Sequence, residues 1–191
     1  MSKVVMHNVV SVDGFIADDN DDIGSLFDWY FAGNVPLGGF RVTPQSASYL
    51  ESTWAATGCL VIGRRLFDLM NGWEGTPPAG IPHVVVVSHR QRPEQWYPDA
   101  PYEFVEDIST AIDRARELAD GKDVGVAAGL VGGQCFAAGL VDEVAMDVAP
   151  VVFGSGRRFF GDLDTPRLLE DPDVVIQGGR VLHLRYRVRR A

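Results

Sequence analysis

The chain has 191 residues, 46% of them hydrophobic, which predicts one compact domain whose core needs no disulfide or metal. Its 17 lysines and arginines against 26 aspartates and glutamates give a net charge of −9, which disfavours nucleic acid and anionic membranes as partners. The first apolar run is too short for a signal peptide, and no stretch approaches the roughly 20 apolar residues of a membrane-spanning helix, so a cytoplasmic location is expected. Cys59 and Cys135 lie among apolar neighbours and are predicted to be buried free thiols.

The first half of the chain predicts a strand, a long loop, a helix and two buried strands. Residues 4–12 are rich in β-branched side chains and end at the turn pair Asp13-Gly14, as strands do. Residues 18–42 hold an acidic patch (Asp18, Asp19, Asp21 and Asp22), several glycines and an aromatic cluster without a sustained period, which indicates a long loop. Thr43 followed by Pro44 predicts a helix over about residues 44–56. The apolar runs 60–62 and 84–87 predict strands in the centre of a sheet.

The second half repeats the alternation of helix and strand. Asp107 is placed to cap a helix whose apolar residues follow helical spacing as far as the stop at Gly121. Residues 124–128 predict a strand, 131–138 a short helix, and 143–153 a strand broken by Pro150. Residues 181–188 alternate, which predicts an antiparallel strand with His183 on its wet face. The whole chain, residues 1–191, is therefore predicted to be one α/β domain with a mixed sheet.

Three predicted strand ends carry residues suited to a ligand, because ligands of open α/β sheets bind where parallel strands end. Gly63 would allow close approach, and Arg64 and Arg65 offer donor forks suited to an adenosine 2′-phosphate, although both could be ordinary solvated charges. Ser88 offers a hydroxyl, or simply begins a polar loop. The small residues at 127–133 could seat a pyrophosphate on a helix N-terminus, or could only let that helix pack closely on the sheet.

Several stretches of the chain resemble the superfamily of dihydrofolate reductase and the riboflavin-pathway reductases. They are Ser11-Val12-Asp13-Gly14-Phe15-Ile16-Ala17, Gly63-Arg64-Arg65, and Ala138-Gly139-Leu140-Val141-Asp142-Glu143 with Ala149-Pro150-Val151-Val152-Phe153-Gly154-Ser155-Gly156. Over residues 3–188 the chain is similar to small stand-alone bacterial members of the RibD C-terminal (reductase) domain family. The resemblance implies a dihydrofolate reductase-like three-layer α-β-α fold, with a mixed central sheet of about eight strands and an antiparallel last strand.

The resemblance also implies a homodimer, and NADPH lying across the strand ends. Ile16 and Ala17 would flank the nicotinamide and Ser88 the adenine. The adenosine phosphate would contact Gly63, Arg64 and Arg65, and the pyrophosphate would contact Ala128, Gly129, Leu130, Val131 and Gly132. Asp13 marks the active-site loop, where it could take part in catalysis or cap backbone N–H groups.

The chain departs from the family pattern at two places. Relatives usually carry glycines where this chain has Ala127 and Ala128, and folate reductases carry an acid where this chain has Ala47, so folate reduction is not expected. Glu51, one turn further along the helix, could replace that acid if it faced inward, or could be a solvated helix residue. Asp28 and Trp29 could supply a carboxylate and a stacking surface for a flat heterocycle, or belong to a loop that only covers the site.

The leading interpretation is an NADPH-dependent reductase that transfers a hydride to a C=N or C=O bond of a small pteridine-like or pyrimidine-like heterocycle. One alternative is a riboflavin-pathway reductase acting on a ribosylated pyrimidine phosphate, with Arg41, Arg157 or Arg158 as a second anion site. Another is a ligand-binding protein that keeps the fold without the chemistry. The strand histidines have no ligand partner at suitable spacing, so they are interpreted as packing or surface residues, and no metal is expected. These histidines are His7, His83 and His183.

Overall fold

The structure is a computed structural model that describes residues 2–189. Its strands are β1 (Val4–Ser11), β2 (Phe15–Ala17), β3 (Val35–Leu37), β4 (Phe40–Val42), β5 (Thr57–Gly63), β6 (His83–Val87), β7 (Tyr102–Val105), β8 (Asp123–Ala127), β9 (Glu143–Ala149), β10 (Arg157–Arg158), β11 (Val174–Gly178) and β12 (Val181–Arg187). Its α-helices are α1 (Pro44–Ala56), α2 (Arg64–Leu69), α3 (Ile108–Leu118) and α4 (Leu130–Ala137), and short 3₁₀ turns lie at Asp28–Phe31, Asn71–Gly75 and Pro78–Gly80. In the part of the chain described, no helix is long and apolar enough to cross a membrane.

Eight strands form one mixed sheet in the order β11-β12-β9-β1-β8-β5-β6-β7. The strands from β9 to β7 in that order run parallel, whereas β12 is antiparallel to both β9 and β11. This arrangement confirms the predicted dihydrofolate reductase-like α/β fold with an antiparallel last strand. The apolar runs of β5 and β6 lie inside the sheet as predicted, with β6 next to the edge strand β7.

The helices begin where the sequence predicts them to begin. The Thr43 hydroxyl oxygen accepts a hydrogen bond from the Ser46 N–H at 3.4 Å, and the Asp107 carboxylate accepts one from the Thr110 N–H at 2.9 Å. Both bonds satisfy N–H groups that a helix leaves unpaired at its first turn. The predicted strand over 143–153 ends at Ala149, because Pro150 has no N–H to continue the ladder.

Apolar side chains cover both faces of the sheet. On one face, Met6 and Val10 of β1 pack with α3 and α4, whose residues Ile112 and Phe136 are buried in the same cluster. On the other face lie two separate clusters. The first joins Val9, Trp29 and α1, and the second joins Ile62 and the α2 residue Phe67. Cys59 and Cys135 are buried free thiols, as predicted.

Two predictions about the fold were wrong. Residues 18–42 are not a loop throughout, since they contain the β3–β4 hairpin and a 3₁₀ turn, and Trp29 is only 2% exposed. Aromatic packing on the sheet ordered a segment whose sequence has no period. His183 does not lie on a wet face, because its ring is fully buried and its polar atoms are hydrogen-bonded inside the protein.

Candidate cofactor and substrate site

The sheet brings the predicted strand-end residues to one edge. Strands β1, β8, β5 and β6 are neighbours and run parallel, so their carboxyl ends lie side by side. Strand β1 ends at the segment from Ser11 to Ala17, and β8 ends at the turn that contains Ala128. Strand β5 ends at Gly63, and Ser88 follows β6. Parallel pairing, rather than closeness in sequence, assembles this candidate site.

The turn between β8 and α4 depends on a glycine. Gly129 has φ 97° and ψ −149°, a backbone conformation that is essentially restricted to glycine. A Cβ at this position would lie 3.2 Å from Ile16 Cδ1, so the Ile16 side chain packs against the turn. Within residues 2–189, we find no hydrogen-bond acceptor for the N–H groups of Leu130, Val131 and Gly132. The first turn of α4 therefore presents open donors at the strand-end edge, as an anion requires.

The same turn is also a close helix–sheet contact. A Cβ at Gly132 would lie 2.6 Å from the Ala127 carbonyl oxygen, and one at Gly133 would clash with the Phe160 carbonyl. The methyl groups of Ala127 and Ala128 pack into apolar clusters on opposite faces of the sheet. Close packing of these small residues is therefore observed for their side chains, whereas the anion-site interpretation concerns their N–H groups and stays a prediction.

Arg64 and Arg65 have different environments. The Arg64 guanidinium lies over the Phe67 ring, with its carbon 5.5 Å from the ring centroid, and donates to the Gln91 carbonyl at 3.0 Å. Only 16% of its side chain is exposed, so Arg64 anchors the loop after β6. Arg65 is 62% exposed and pairs with Asp21. Of the two arginines, Arg65 is the one that presents its guanidinium to solvent.

Asp21 links three segments around the entrance of the site. Its carboxylate pairs with Arg65 and accepts a hydrogen bond from Arg157 Nε at 2.9 Å. The hydrogen bond from Arg65 is the main cause that lowers the pKa of Asp21, with burial opposing it and Arg157 adding to it. Sequence reasoning treated Asp21 as one member of an acidic patch, and nothing in its local pattern separated it from its neighbours.

Ser88 organises the loop that follows β6. Its hydroxyl donates to the Arg90 carbonyl at 2.6 Å and accepts from the Arg90 N–H at 3.0 Å. A cavity of about 200 Å³ lies here at the ends of β6 and β7, and it is lined by Ser88, His89, Arg90, Gln91, Arg92, Phe104 and Glu106. The hydroxyl is thus part of a turn that forms one wall of a small polar cavity.

Asp13 joins the loop after β1 to the segment after β9. Its carboxylate accepts hydrogen bonds from the Ser11 hydroxyl at 2.5 Å, from the Phe153 N–H at 3.1 Å and from the Gly154 N–H at 2.7 Å. The hydrogen bonds from Ser11 and Gly154 lower the pKa of Asp13. These contacts favour the backbone-capping role. Ala17 is buried, and its strand pairs with Arg157 of β10.

Glu51 lies on α1, and Asp28 and Trp29 lie in the 3₁₀ turn at Asp28–Phe31. Glu51 lies on the exposed side of α1, because the neighbouring Leu50 takes the inward position, so it does not replace an inward helix acid. Asp28 is exposed. The Trp29 ring is stacked on Tyr30 with centroids 4.0 Å apart, and protein covers it instead of a ligand.

A buried polar cluster went unrecognised in the sequence. Asp147, fully buried on β9, accepts hydrogen bonds from His7 Nε2 at 2.9 Å and from His183 Nδ1 at 2.6 Å. Burial raises the pKa of Asp147, but the two imidazoles outweigh it and lower the pKa to about 2. His7 and Asp147 are 140 residues apart, so spacing could not have revealed the contact. Among residues 2–189, no group of three His, Cys, Asp or Glu side chains could hold a metal ion.

The eight-stranded mixed sheet, with its antiparallel last strands and the turns at its strand ends, defines an α/β protein of the dihydrofolate reductase-like class. The model of the RibD C-terminal domain family matches residues 2–182. The chain therefore belongs to the RibD C-terminal domain family. A comparison with curated protein sequences finds no match.

Solved structures share this fold at low sequence identity. A protein assigned to riboflavin biosynthesis from Shewanella sp. PV-4 is 20% identical, with a TM-score of 0.75 over 98% of this chain and 99% of that one. A pyrimidine reductase-like protein from Corynebacterium diphtheriae is 16% identical, with a TM-score of 0.60 over 100% of this chain and 93% of that one.

A longer protein contains the same fold as one part of its chain. The diaminohydroxyphosphoribosylaminopyrimidine deaminase/5-amino-6-(5-phosphoribosylamino)uracil reductase of Thermotoga maritima is 16% identical, with a TM-score of 0.64 over 98% of this chain. The match spans only 57% of the Thermotoga chain. At these identities the three likenesses establish the fold.

Proposed function

We propose that this protein is an NADPH-dependent reductase of a pyrimidine-type heterocycle. Membership in the RibD C-terminal family supports a pyrimidine reductase role. The observation that carries the proposal is that two kinds of anion-binding group lie at the same edge of the sheet. They are the unpaired N–H donors on the first turn of α4 and the exposed guanidinium of Arg65.

The residues at this edge fit a phosphorylated dinucleotide. The N–H groups of Leu130, Val131 and Gly132 would hold the pyrophosphate, since a helix N-terminus favours anions. Arg65 would hold the 2′-phosphate by exchanging Asp21 for it, and Ile16 lies against the turn where the nicotinamide end is expected. NADPH supplies the hydride, while the protein supplies position and charge.

A ribosylated pyrimidine phosphate is the substrate class that we consider best supported. Such a substrate brings its own phosphate and needs a cation outside the cofactor site. Arg158 is exposed on β10, beside the strand β2 that ends at Ala17, and Arg157 is 43% exposed. Arg41, the third candidate, donates to the Asn34 carbonyl at 3.3 Å in a different hairpin. Their positions therefore favour Arg157 and Arg158 over Arg41 as the second phosphate site.

The first test is a titration of the purified protein with NADPH and with NADH, followed by nicotinamide fluorescence. We expect Arg65→Ala to weaken NADPH binding by about 10- to 100-fold, because a charged hydrogen bond contributes about 1.5–3 kcal/mol. NADH binding should change little, and Arg116→Ala on α3 serves as the matched surface control. If neither nucleotide binds the wild-type protein, the ligand-binding alternative replaces the reductase.

The second test asks for turnover. NADPH oxidation is followed with 5-amino-6-(5-phosphoribosylamino)uracil and with its dephosphorylated form as acceptors. The proposal expects oxidation with the phosphorylated compound, and a higher KM for that compound in Arg158→Ala. Equal rates with both compounds would remove the phosphate-site argument while leaving the reductase intact.

We also propose a homodimer formed through the β11 edge of the sheet. Val175 on this edge strand is 60% exposed. A groove of about 690 Å³ lies between α1 and the same strand. Light scattering at micromolar concentration tests the assembly, and Val175→Lys should shift a dimer to monomer. A wild-type monomer would overturn it.

A further inference from the structure

His7 lies in the sheet next to the candidate cofactor turn. Its Cα pairs with Ala127, the last residue of β8, and its carbonyl accepts a hydrogen bond from the Ala128 N–H at 3.2 Å. Val9, two residues on and on the same face, packs with the α1 cluster, whereas Ala127 packs with the Phe67 cluster. His7 therefore stands where the two clusters of this face meet, and 31% of its side chain is exposed.

A line of hydrogen bonds runs from His7 into the core. Its Nε2 bonds one oxygen of Asp147 at 2.9 Å, and the other oxygen bonds His183 Nδ1 at 2.6 Å. His183 Nε2 in turn bonds the Ser46 hydroxyl at 2.9 Å. The described part of the chain offers no partner for the other ring nitrogen of His7, Nδ1. The line of hydrogen bonds therefore ends at the buried Ser46 hydroxyl on α1 and, on the other side, at the partly exposed ring of His7.

The carboxylate of Asp147 orients the His7 ring. A fully buried carboxylate that stays ionised needs donors, and both imidazoles supply an N–H to it. His7 therefore directs the N–H of Nε2 at Asp147, and Nδ1 is the ring nitrogen that this contact leaves unused. A carboxylate that orients an imidazole and stabilises its cation is the arrangement of a general acid–base pair.

The other ionisable groups around this line have fixed states. Burial raises the pKa of Tyr30, and raises that of Tyr49 to about 12, so both phenols stay neutral. The remaining charges, Glu143 with Lys3 and Arg185, are paired with each other at 2.6 Å and 3.5 Å. Of the groups that face this cluster, His7 is the one that combines a titratable ring with access to solvent.

We propose that His7 is the general acid of the reduction, and that Asp147 and His183 are its positioning residues. The inference rests on the proposed reductase function and names the proton donor for it. When a hydride adds to the carbon of a C=N or C=O bond, the heteroatom gains the electron pair of the broken π bond. The proton on His7 Nδ1 moves to that pair, and the neutral imidazole then regains a proton from water.

The main test compares His7→Gln with the wild type, using His83→Gln as the control on β6. With NADPH and 5-amino-6-(5-phosphoribosylamino)uracil, His7→Gln should lower kcat about 10²- to 10⁴-fold, the usual contribution of a general acid. The KM for NADPH should stay within about twofold, and the limb of the pH–rate profile due to the acid should disappear. Added imidazole should restore part of the rate to His7→Ala, which a purely structural role would not allow.

A chemical-labelling test needs no turnover. Diethylpyrocarbonate should modify His7 in the protein alone and spare the fully buried His183, and saturating NADPH should slow the labelling of His7 at least threefold. Unchanged labelling, or His7→Gln with wild-type kcat and pH profile, overturns the role of His7 while the reductase stands. A wild-type protein that neither binds NADPH nor oxidises it overturns the proposed function, and this inference falls with it.

Discussion

A methyl group at Gly129 should destabilise the protein more than one at Gly139, although both glycines flank α4. Gly129 has φ 97° and ψ −149°, where a residue with a Cβ carries about 1–3 kcal/mol of strain. The new Cβ would also lie 3.2 Å from Ile16 Cδ1, and moving that side chain off its rotamer costs about 0.5–1.5 kcal/mol. The sum for Gly129→Ala is about 1.5–4.5 kcal/mol.

Gly139→Ala is the control because its Cβ would meet nothing within 4 Å and only the positive φ of 73° opposes it. That conformation costs about 1–2 kcal/mol. Urea unfolding gives the free energy of unfolding of both variants. In thermal unfolding, a loss of about 3 kcal/mol at Gly129 should lower the melting temperature by about 6–12 °C. Adding Ile16→Ala to Gly129→Ala should return the part due to the side-chain contact. Equal losses at the two glycines would refute this reasoning about the turn.

Three further predictions concern the core and its caps. Since the pKa of Asp147 falls from about 3.9 in the unfolded chain to about 2 in the fold, its stabilisation is present above about pH 4 and lost as the pH falls through 2. Urea unfolding between pH 5 and 2 should show this decline, and a flat profile contradicts it. Thr43→Ala should lower the free energy of unfolding by about 1 kcal/mol, because the Ser46 N–H loses its cap, whereas Thr43→Ser should retain most of it. Burial raises the pKa of Cys59 to about 12 and that of Cys135 to about 11, so a thiol reagent should label neither until urea is added; labelling of the native protein would count against burial.

The sequence predicted those parts of the fold that local rules determine. The pair Thr43-Pro44 located the first residue of α1, and the four-valine run located β6, because a cap and an apolar period act within a few residues. The 18–42 segment was misjudged for the opposite reason. Its order comes from Leu26 and Trp29 packing on the sheet, and contacts of that kind leave no periodic signal in the segment itself.

The candidate site was predictable in outline only. The strand-end rule selected Gly63, Arg65 and Gly129 correctly as neighbours of one edge, because parallel pairing follows from the α/β alternation. The rule could not separate Arg64 from Arg65. That distinction depends on the loop at 88–92, which folds back to accept hydrogen bonds from Arg64 and leaves Arg65 outside.

The packing also explains where the buried polar groups on this face come from. On α1 the buried positions are occupied by Ser46, Ala47, Tyr49 and Leu50, so the buried side of the helix contributes two hydroxyls and no carboxylate. The buried carboxylate comes from the sheet instead, at Asp147, and the Ser46 hydroxyl reaches it through His183. Asp147 is fully buried with each oxygen bonded to an imidazole, so any influence of this carboxylate on a ligand has to pass through the rings beside it. Of the four residues His7, Asp147, His183 and Ser46, His7 is the one with solvent access, and the general-acid proposal therefore rests on its ring.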